Sequence, residues 1–145
     1  MKLYGYRNVI NNEEIIEYFR KQGVEDLVDP KSLHVTVIYS KKDVDEKSIK
    51  VDNNSLYYIP ENTHLEKFGD YLVMVVNSPY LQDRFKYFES KGCSYDYPKY
   101  KPHISLCENF TGNIETLTPF KKPIFLTKEK IEELNEEWEE SDNLD

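Results

Sequence analysis

The sequence predicts one α+β domain made of two related halves, and three observations lead there. Sliding the chain against itself at an offset of 69 residues lays Ile16 on Phe85, Tyr18-Phe19 on Tyr87-Phe88, Gly23 on Gly92, His34 on His103 and Thr36 on Ser105 without a gap. Each copy reads as a helix followed by a strand. No Gly/Ser/Pro-rich linker separates the copies, so the halves, about 12–40 and 78–109, belong to a single domain spanning 1–140. The expected architecture is two pseudo-twofold-related helix-plus-strand halves with antiparallel sheets around a central cleft, plus a C-terminal helix.

In the first copy Asn12 can cap a run with Ile15, Ile16 and Phe19 at helical spacing, and Gly23 supplies the left-handed stop. In the second, Ser78 is the N-cap, Pro79 takes the first helical position, Leu81, Phe85 and Phe88 form the apolar stripe, and Gly92 ends it. A strand follows each glycine, at 33–39 and 101–107. Alternation puts Leu33, Val35, Val37 and Tyr39 on one face and His34 and Thr36 on the other. In the second strand Ile104 and Leu106 oppose His103 and Ser105. Further strands are expected near 3–8, 55–59, 71–77 and 124–126. Thr127 then caps a final helix over about 128–140, with Ile131, Leu134 and Trp138 as its apolar stripe, and 141–145 is expected to be disordered.

The chain of 145 residues carries 19 Lys and Arg against 27 Asp and Glu, a net charge of -8. That balance argues against a protein that grips long nucleic acid, where lysines and arginines must displace counterions along many phosphates. The charge is uneven, however. From Lys128 onward there are two lysines and nine acids, so the body before it is close to neutral and a small anionic ligand stays admissible. The longest apolar stretch, Tyr71 to Val76, is far below the ~20 residues of a membrane span. The polar stretch at Asn11-Asn12-Glu13-Glu14 is unlike a signal peptide, so a soluble, cytoplasmic protein is expected. Cys93 and Cys107 make neither a zinc motif nor a disulfide framework and read as buried, reduced thiols. Nothing in the sequence specifies a protein partner.

If the polar strand faces meet across the twofold axis, His34, Thr36, His103 and Ser105 converge on one point. An imidazole pKa near ~6.5 lets one histidine act as base while the other, still protonated, acts as acid. Phosphodiester cleavage needs that pair: a proton leaves the attacking oxygen and another reaches the leaving oxygen. Thr36 and Ser105 can donate hydrogen bonds to the non-bridging oxygens, where charge grows. Neither a metal nor another cofactor is called for, and a zinc site would want a third protein ligand. His64, the remaining histidine, matches nothing in the repeat and reads as a surface loop residue.

The paired triplets His34-Val35-Thr36 and His103-Ile104-Ser105, separated by a duplicated half-domain, resemble the 2H phosphoesterase superfamily. Within it, the interval of 69, the 33–40 and 100–105 segments and an acidic C-terminal segment with one Trp are most similar to the anti-CBASS protein 1 family of tailed phages. The resemblance implies a 2H phosphoesterase-like fold and metal-independent cleavage of 3',5' linkages in cyclic di- and trinucleotides such as 3',3'-cyclic GMP-AMP. It makes a small cyclic oligonucleotide the partner. Either histidine can take either role.

Flanking residues suit a nucleotide: Tyr95, Tyr97 and Tyr100 alternate with Lys99 and Lys101 before His103, and Lys31 precedes His34. Tyrosines at this density also fit a core. Tyr4 and Tyr6 are further stacking candidates, and the resemblance favours Tyr4. It also implies a C-terminal segment that closes over the ligand, with an aromatic ring stacking a base and a Glu reading a base edge. By position those are Trp138 and Glu132, with Glu133 as the alternative to Glu132. The expected ligand contacts are thus Tyr4, Lys101, Glu132 and Trp138. Two rival functions stand beside this one. An RNA-end 2',3'-cyclic phosphodiesterase of the same fold would want a basic groove; a cyclic-nucleotide sponge would have no need of acid-base histidines.

Overall fold

A computed structural model describes residues 1–135. The elements run β1 (Leu3–Asn8), α1 (Asn12–Lys21), β2 (His34–Ser40), β3 (Leu56–Tyr58), β4 (Thr63–Phe68), β5 (Tyr71–Val76), α2 (Pro79–Ser90), β6 (His103–Cys107), β7 (Ile124–Leu126) and β8 (Lys130–Glu133). Every ladder is antiparallel. One sheet has the order β2-β1-β8, another β4-β5-β6, and β3 pairs with β7. The two histidine strands, β2 and β6, are edge strands of different sheets and lie next to each other.

The helices form as their stripes predict. α1 buries Ile15, Ile16 and Phe19, and α2 buries Leu81, Phe85 and Phe88. Both end before a left-handed glycine, Gly23 at φ 86 and Gly92 at φ 97. Ser78 caps α2, accepting from Leu81 N at 3.0 Å. α1 differs from expectation: Asn11 holds the cap position, while Asn12 is already helical and its amide donates to Val9 O at 3.0 Å.

A β-bulge follows each His-x-hydroxyl triplet. In the β1–β2 ladder Tyr6 faces Thr36 and Gly5 faces Ile38, which leaves Val37 as the extra residue. In the β5–β6 ladder Val73 faces Ser105 and Leu72 faces Cys107, which leaves Leu106. Val37 and Leu106 are related by the same 69-residue offset. A bulge reverses the facing of the residues beyond it, so Tyr39, expected on the Val35 side, stands opposite Tyr4 on the side of Thr36.

Two further segments depart from the sequence reading. β4 was not expected, and His64 lies on it rather than in a loop; it is nonetheless exposed. The C-terminal segment, expected as a helix from about 128, is instead the strand β8, paired with β1 from Leu3↔Glu133 to Tyr6↔Lys130. The cause is the second edge of β1, whose backbone N–H and C=O groups need partners. Thr127 starts the pairing: its hydroxyl accepts from Asn8 N at 3.0 Å, and its own N–H donates to Asn8 O at 2.9 Å, so it caps no helix. Gly5 sits under the ladder, where a Cβ would approach Ile38 Cγ2 to 2.9 Å and Ile131 Cγ2 to 3.7 Å. Trp138 and the expected disordered end, 141–145, lie outside the described residues.

Under β8 lies a buried ionic network. Arg7, on the core face of β1 and fully buried, donates to Asn54 O at 2.6 Å, to Thr127 O at 3.2 Å and to the Asp52 carboxylate. Arg84 of α2 grips Glu129 with two hydrogen bonds at 2.9 and 2.6 Å, and Tyr80 donates to Asp52 at 2.6 Å. Two cations and two carboxylates thus fasten the chain where it enters β8. Glu129→Ala takes the carboxylate away from the Arg84 guanidinium, while Arg7 keeps Asp52, and is expected to lower the unfolding free energy by about 3 kcal/mol in a urea titration. Asp52 sets a pH dependence. Burial works upward on its carboxyl, but the Tyr80 and Arg7 hydrogen bonds outweigh it and hold it below its usual value. Its contribution is therefore complete above the ordinary carboxylate range and is lost as pH falls through the depressed pKa. Thermal melts of Asp52→Asn should show a lower Tm than wild type at neutral pH and a smaller further loss on acidification.

Candidate active site

Each histidine is positioned by its own strand. His34 Nδ1 bonds to Ser32 O at 2.7 Å, and His103 Nδ1 bonds to Lys101 O at 2.8 Å; in both, the carbonyl lies two residues upstream. A carbonyl can only accept, so in the neutral ring the proton sits on Nδ1 and Nε2 is the basic nitrogen. The protonated ring then carries its second proton on Nε2. The two halves therefore deliver the same imidazole, with the same nitrogen left for acid-base work.

His34 and Ser105, one from each half, line a common cleft of about 620 Å³, together with Ser32 and Tyr71. Thr36 is buried on β2, with its hydroxyl 3.4 Å from the Tyr4 hydroxyl. Tyr4 stands edge-on to His34, with ring centroids 6.4 Å apart, and stacks on Tyr6 at 4.8 Å. His103 is buried with Phe68 against its ring, centroids 4.9 Å apart. The halves are tied across the β2–β6 gap by Tyr100, whose hydroxyl donates to Thr36 O at 2.8 Å.

The other expected contacts fall into place unevenly. Glu132 is exposed on β8, and Tyr6 donates to it at 3.3 Å. Burial first, and the Glu132 charge second, push the Tyr6 phenol up. Glu133 is the next residue of the same strand and faces Leu3 in the ladder. Lys101 is paired with Glu66 at 2.6 Å. Tyr100 is a core residue, stacked flat on Phe85 at 4.5 Å, and burial raises its phenol well above the usual value. Tyr95 packs on both rings, and burial pushes it up to about 12. Of this tyrosine group Tyr97 is the exposed member. Lys31 is exposed on the turn Pro30–Ser32. Both cysteines are free and buried, and burial raises both thiols.

The sequence reading missed the contribution of β4, where His64, Glu66 and Phe68 share a strand face. Its signal was Gly69-Asp70 between Phe68 and Tyr71, with glycine at φ 58 in the first turn position, a two-residue hairpin mark. Glu66 accepts from His64 Nε2 at 2.7 Å as well as from Lys101. Burial works upward on Glu66, but the Lys101 and His64 hydrogen bonds outweigh it and hold the carboxyl below its usual value.

The profile of the family described as Anti-CBASS protein Acb1 matches residues 2–141. The chain belongs to this family. It is similar to Anti-CBASS protein Acb1 of Escherichia phage RB16, 31% identical over 129 residues that cover 85% of this chain and 73% of the relative. It is also similar to the Caulobacter sp. (strain RHG1) protein of the same name, 29% identical over 149 residues that cover 97% of this chain but 24% of that relative. In three dimensions it is similar to E. coli LigT crystallised with 3'-AMP, at a TM-score of 0.61 and 16% identity, covering 90% of this chain and 86% of LigT. By family the chain is an anti-CBASS protein, and its α+β fold is that of LigT and of a second solved protein described as a phosphoesterase. Among the described residues no helix is long and apolar enough to cross a membrane.

Two measurements check the site as built. Nitrogen NMR of the neutral imidazoles should find the proton on Nδ1 in both His34 and His103; an Nε2-H tautomer at either would contradict the backbone lock. Tyr100→Phe keeps the stack on Phe85 and loses the tie to β2, and should cost about 1 kcal/mol of unfolding free energy in urea.

Proposed function

We propose that the protein is a metal-independent phosphodiesterase that cleaves 3',5' linkages of cyclic di- and trinucleotide messengers such as 3',3'-cyclic GMP-AMP, and so lets a phage evade CBASS immunity. The observation that carries this reading is the duplicated imidazole: two histidines from two repeat halves, each with Nδ1 held by the carbonyl two residues upstream. A site that only binds a ligand does not need two rings prepared alike for proton transfer.

The scissile phosphate sits between His34 and His103, within hydrogen-bond reach of the Thr36 and Ser105 hydroxyls. One Nε2 takes the proton of the adjacent ribose 2'-hydroxyl, whose oxygen attacks phosphorus. The P–O5' bond breaks, and the Nε2–H of the other histidine protonates the leaving oxygen. The products are a 2',3'-cyclic phosphate and a 5'-hydroxyl, with water able to open the cyclic phosphate in a second round. Thr36 and Ser105 donate to the non-bridging oxygens, where negative charge grows. Both proton transfers belong to imidazoles, so the scheme assigns no step to a metal. Tyr4 stacks on a base at the His34 side, and Glu132, which faces Tyr4 in the β1–β8 ladder, accepts from a base amino or imino group. Trp138 is proposed as a second stacking residue on its position in the sequence.

The test is to incubate the protein in EDTA with 3',3'-cyclic GMP-AMP and, separately, with an oligonucleotide ending in a 2',3'-cyclic phosphate. Wild type should open the cyclic dinucleotide, and His34→Ala and His103→Ala should each lower the rate by about 10²–10⁴. Survival of the ring while the oligonucleotide end is opened would favour the RNA-end enzyme that the LigT-like fold also accommodates. Tight binding without turnover would favour a sponge, and loss of activity in EDTA alone would sink the mechanism.

A further inference from the structure

Beyond His103, the rim carries polar side chains that the two-histidine chemistry does not use. The Asn77 amide donates to His64 Nδ1 at 3.2 Å, which leaves His64 Nε2–H to donate to Glu66 at 2.7 Å. Glu66 in turn holds Lys101 Nζ at 2.6 Å. That ammonium lies 5.3 Å from the centroid of the Phe68 ring, the ring that packs on His103. Lys101 is thus fixed beside the catalytic centre rather than trailing in solvent.

Lys101 also borders a second cavity, of about 510 Å³, lined among others by Lys86, Lys99, Gln82 and Asp83. Lys86 and Lys99 are both exposed, and neither is ion-paired among the described residues. The cleft itself has the opposite character. The cavity that His34 and Ser105 share is bordered by Asp26, Asp29 and Glu108 and by no lysine or arginine. A ligand with more than one negative charge, held by one phosphate between the histidines, therefore lowers its energy by turning its remaining charge past the Glu66-paired Lys101 toward Lys86 and Lys99. The distance is suitable: Lys101 is two residues from His103, so the Cα atoms are at most about 7 Å apart.

We propose that this second cavity is the subsite for the next, non-scissile phosphodiester of a cyclic oligonucleotide. Lys101, whose ammonium lies by the Phe68 ring that packs on His103, borders it, and Lys86 and Lys99 supply its positive charge, unpaired among the described residues. The inference rests on the function proposed above and adds to it a physical basis for preferring a ring with two or more phosphates over a mononucleotide. A nucleotide with one phosphate fills the space between the histidines and leaves the lysine cavity empty.

The experiment compares wild type, the double variant Lys86→Gln/Lys99→Gln, and a control, Lys121→Gln, an exposed lysine outside both cavities. It reads the KM for 3',3'-cyclic GMP-AMP and the inhibition constant of 3'-AMP, a probe with one phosphate, at low and high salt. Two exposed charge contacts predict a rise in KM of about tenfold at low salt in the double variant, with the 3'-AMP constant moving by less than about twofold. The difference should shrink at high salt, because exposed charges are screened. The control should match wild type. A parallel rise in both constants would show a general field and overturn the subsite, as would no change in either. If wild type cleaves the ring and the double variant keeps its KM, the subsite falls and the proposed function stands. If wild type does not cleave the ring, the proposed function falls and takes the subsite with it.

Discussion

The two candidate histidines lie on strands that share no ladder, and the Tyr100 hydroxyl on Thr36 O ties β2 to the segment that leads into β6. β2 and β6 are edges of different sheets, so backbone pairing fixes His34 within one sheet and His103 within the other. Tyr100 belongs to the segment that leads into β6, is clamped flat against Phe85 of α2, and reaches across to the residue two beyond His34. Its ring is wholly committed to the core, which fixes the direction of the bond. A tyrosine whose sequence neighbours suit it to stacking on a ligand thus helps to set the distance between the two halves.

The repeat extends to details finer than helices and strands. Bulges at Val37 and Leu106 follow the two hydroxyl residues, and both histidines use the same Nδ1-to-carbonyl lock. A bulge strengthens local twist and changes the facing of later residues, and both bulges lie on the edge strands that carry the candidate histidines. The halves differ in what surrounds the rings. Tyr4 and the β8 carboxylate Glu132 lie on the His34 side; Phe68, Glu66 and Lys101 lie on the His103 side. The matched parts of the proposed catalytic pair thus sit in unlike settings, which is how a nearly symmetric scaffold can bind an asymmetric ligand in one orientation.

The buried network around Arg7 links stability to the site. β1 turns Tyr4 and Tyr6 toward the cleft and Leu3, Gly5 and Arg7 toward the core. Arg7 and Arg84 hold Asp52 and Glu129, and one residue after Glu129 the chain enters β8. The placement of Glu132 opposite Tyr4 therefore depends on charges buried on the far face of the same strand. Buried ion pairs contribute modestly to net stability, and here their role is to specify where one chain segment crosses another.

Much of the fold was legible in one dimension because its determinants are local. The apolar stripes, Ser78 and the two stop glycines specify the helices, alternation specifies β2 and β6, and the apolar run from Tyr71 to Val76 specifies β5. The repeat places two His-x-hydroxyl triplets in equivalent positions, which is enough to suggest one catalytic centre. β8 was not legible, because Ile131 and Leu134 fit a helical stripe as well as an edge strand, and the choice was made by the unpaired side of β1. β4 escaped because Thr63–Phe68 is largely polar on both faces and is a strand through its pairing with β5. The inventory of chemistry, two imidazoles and two hydroxyls at a fixed interval, was determined by the sequence alone. The facing of Tyr39, the Lys101–Glu66–His64 chain and the buried arginine were decided only in the folded molecule, because each depends on a register shift or a partner distant in the chain.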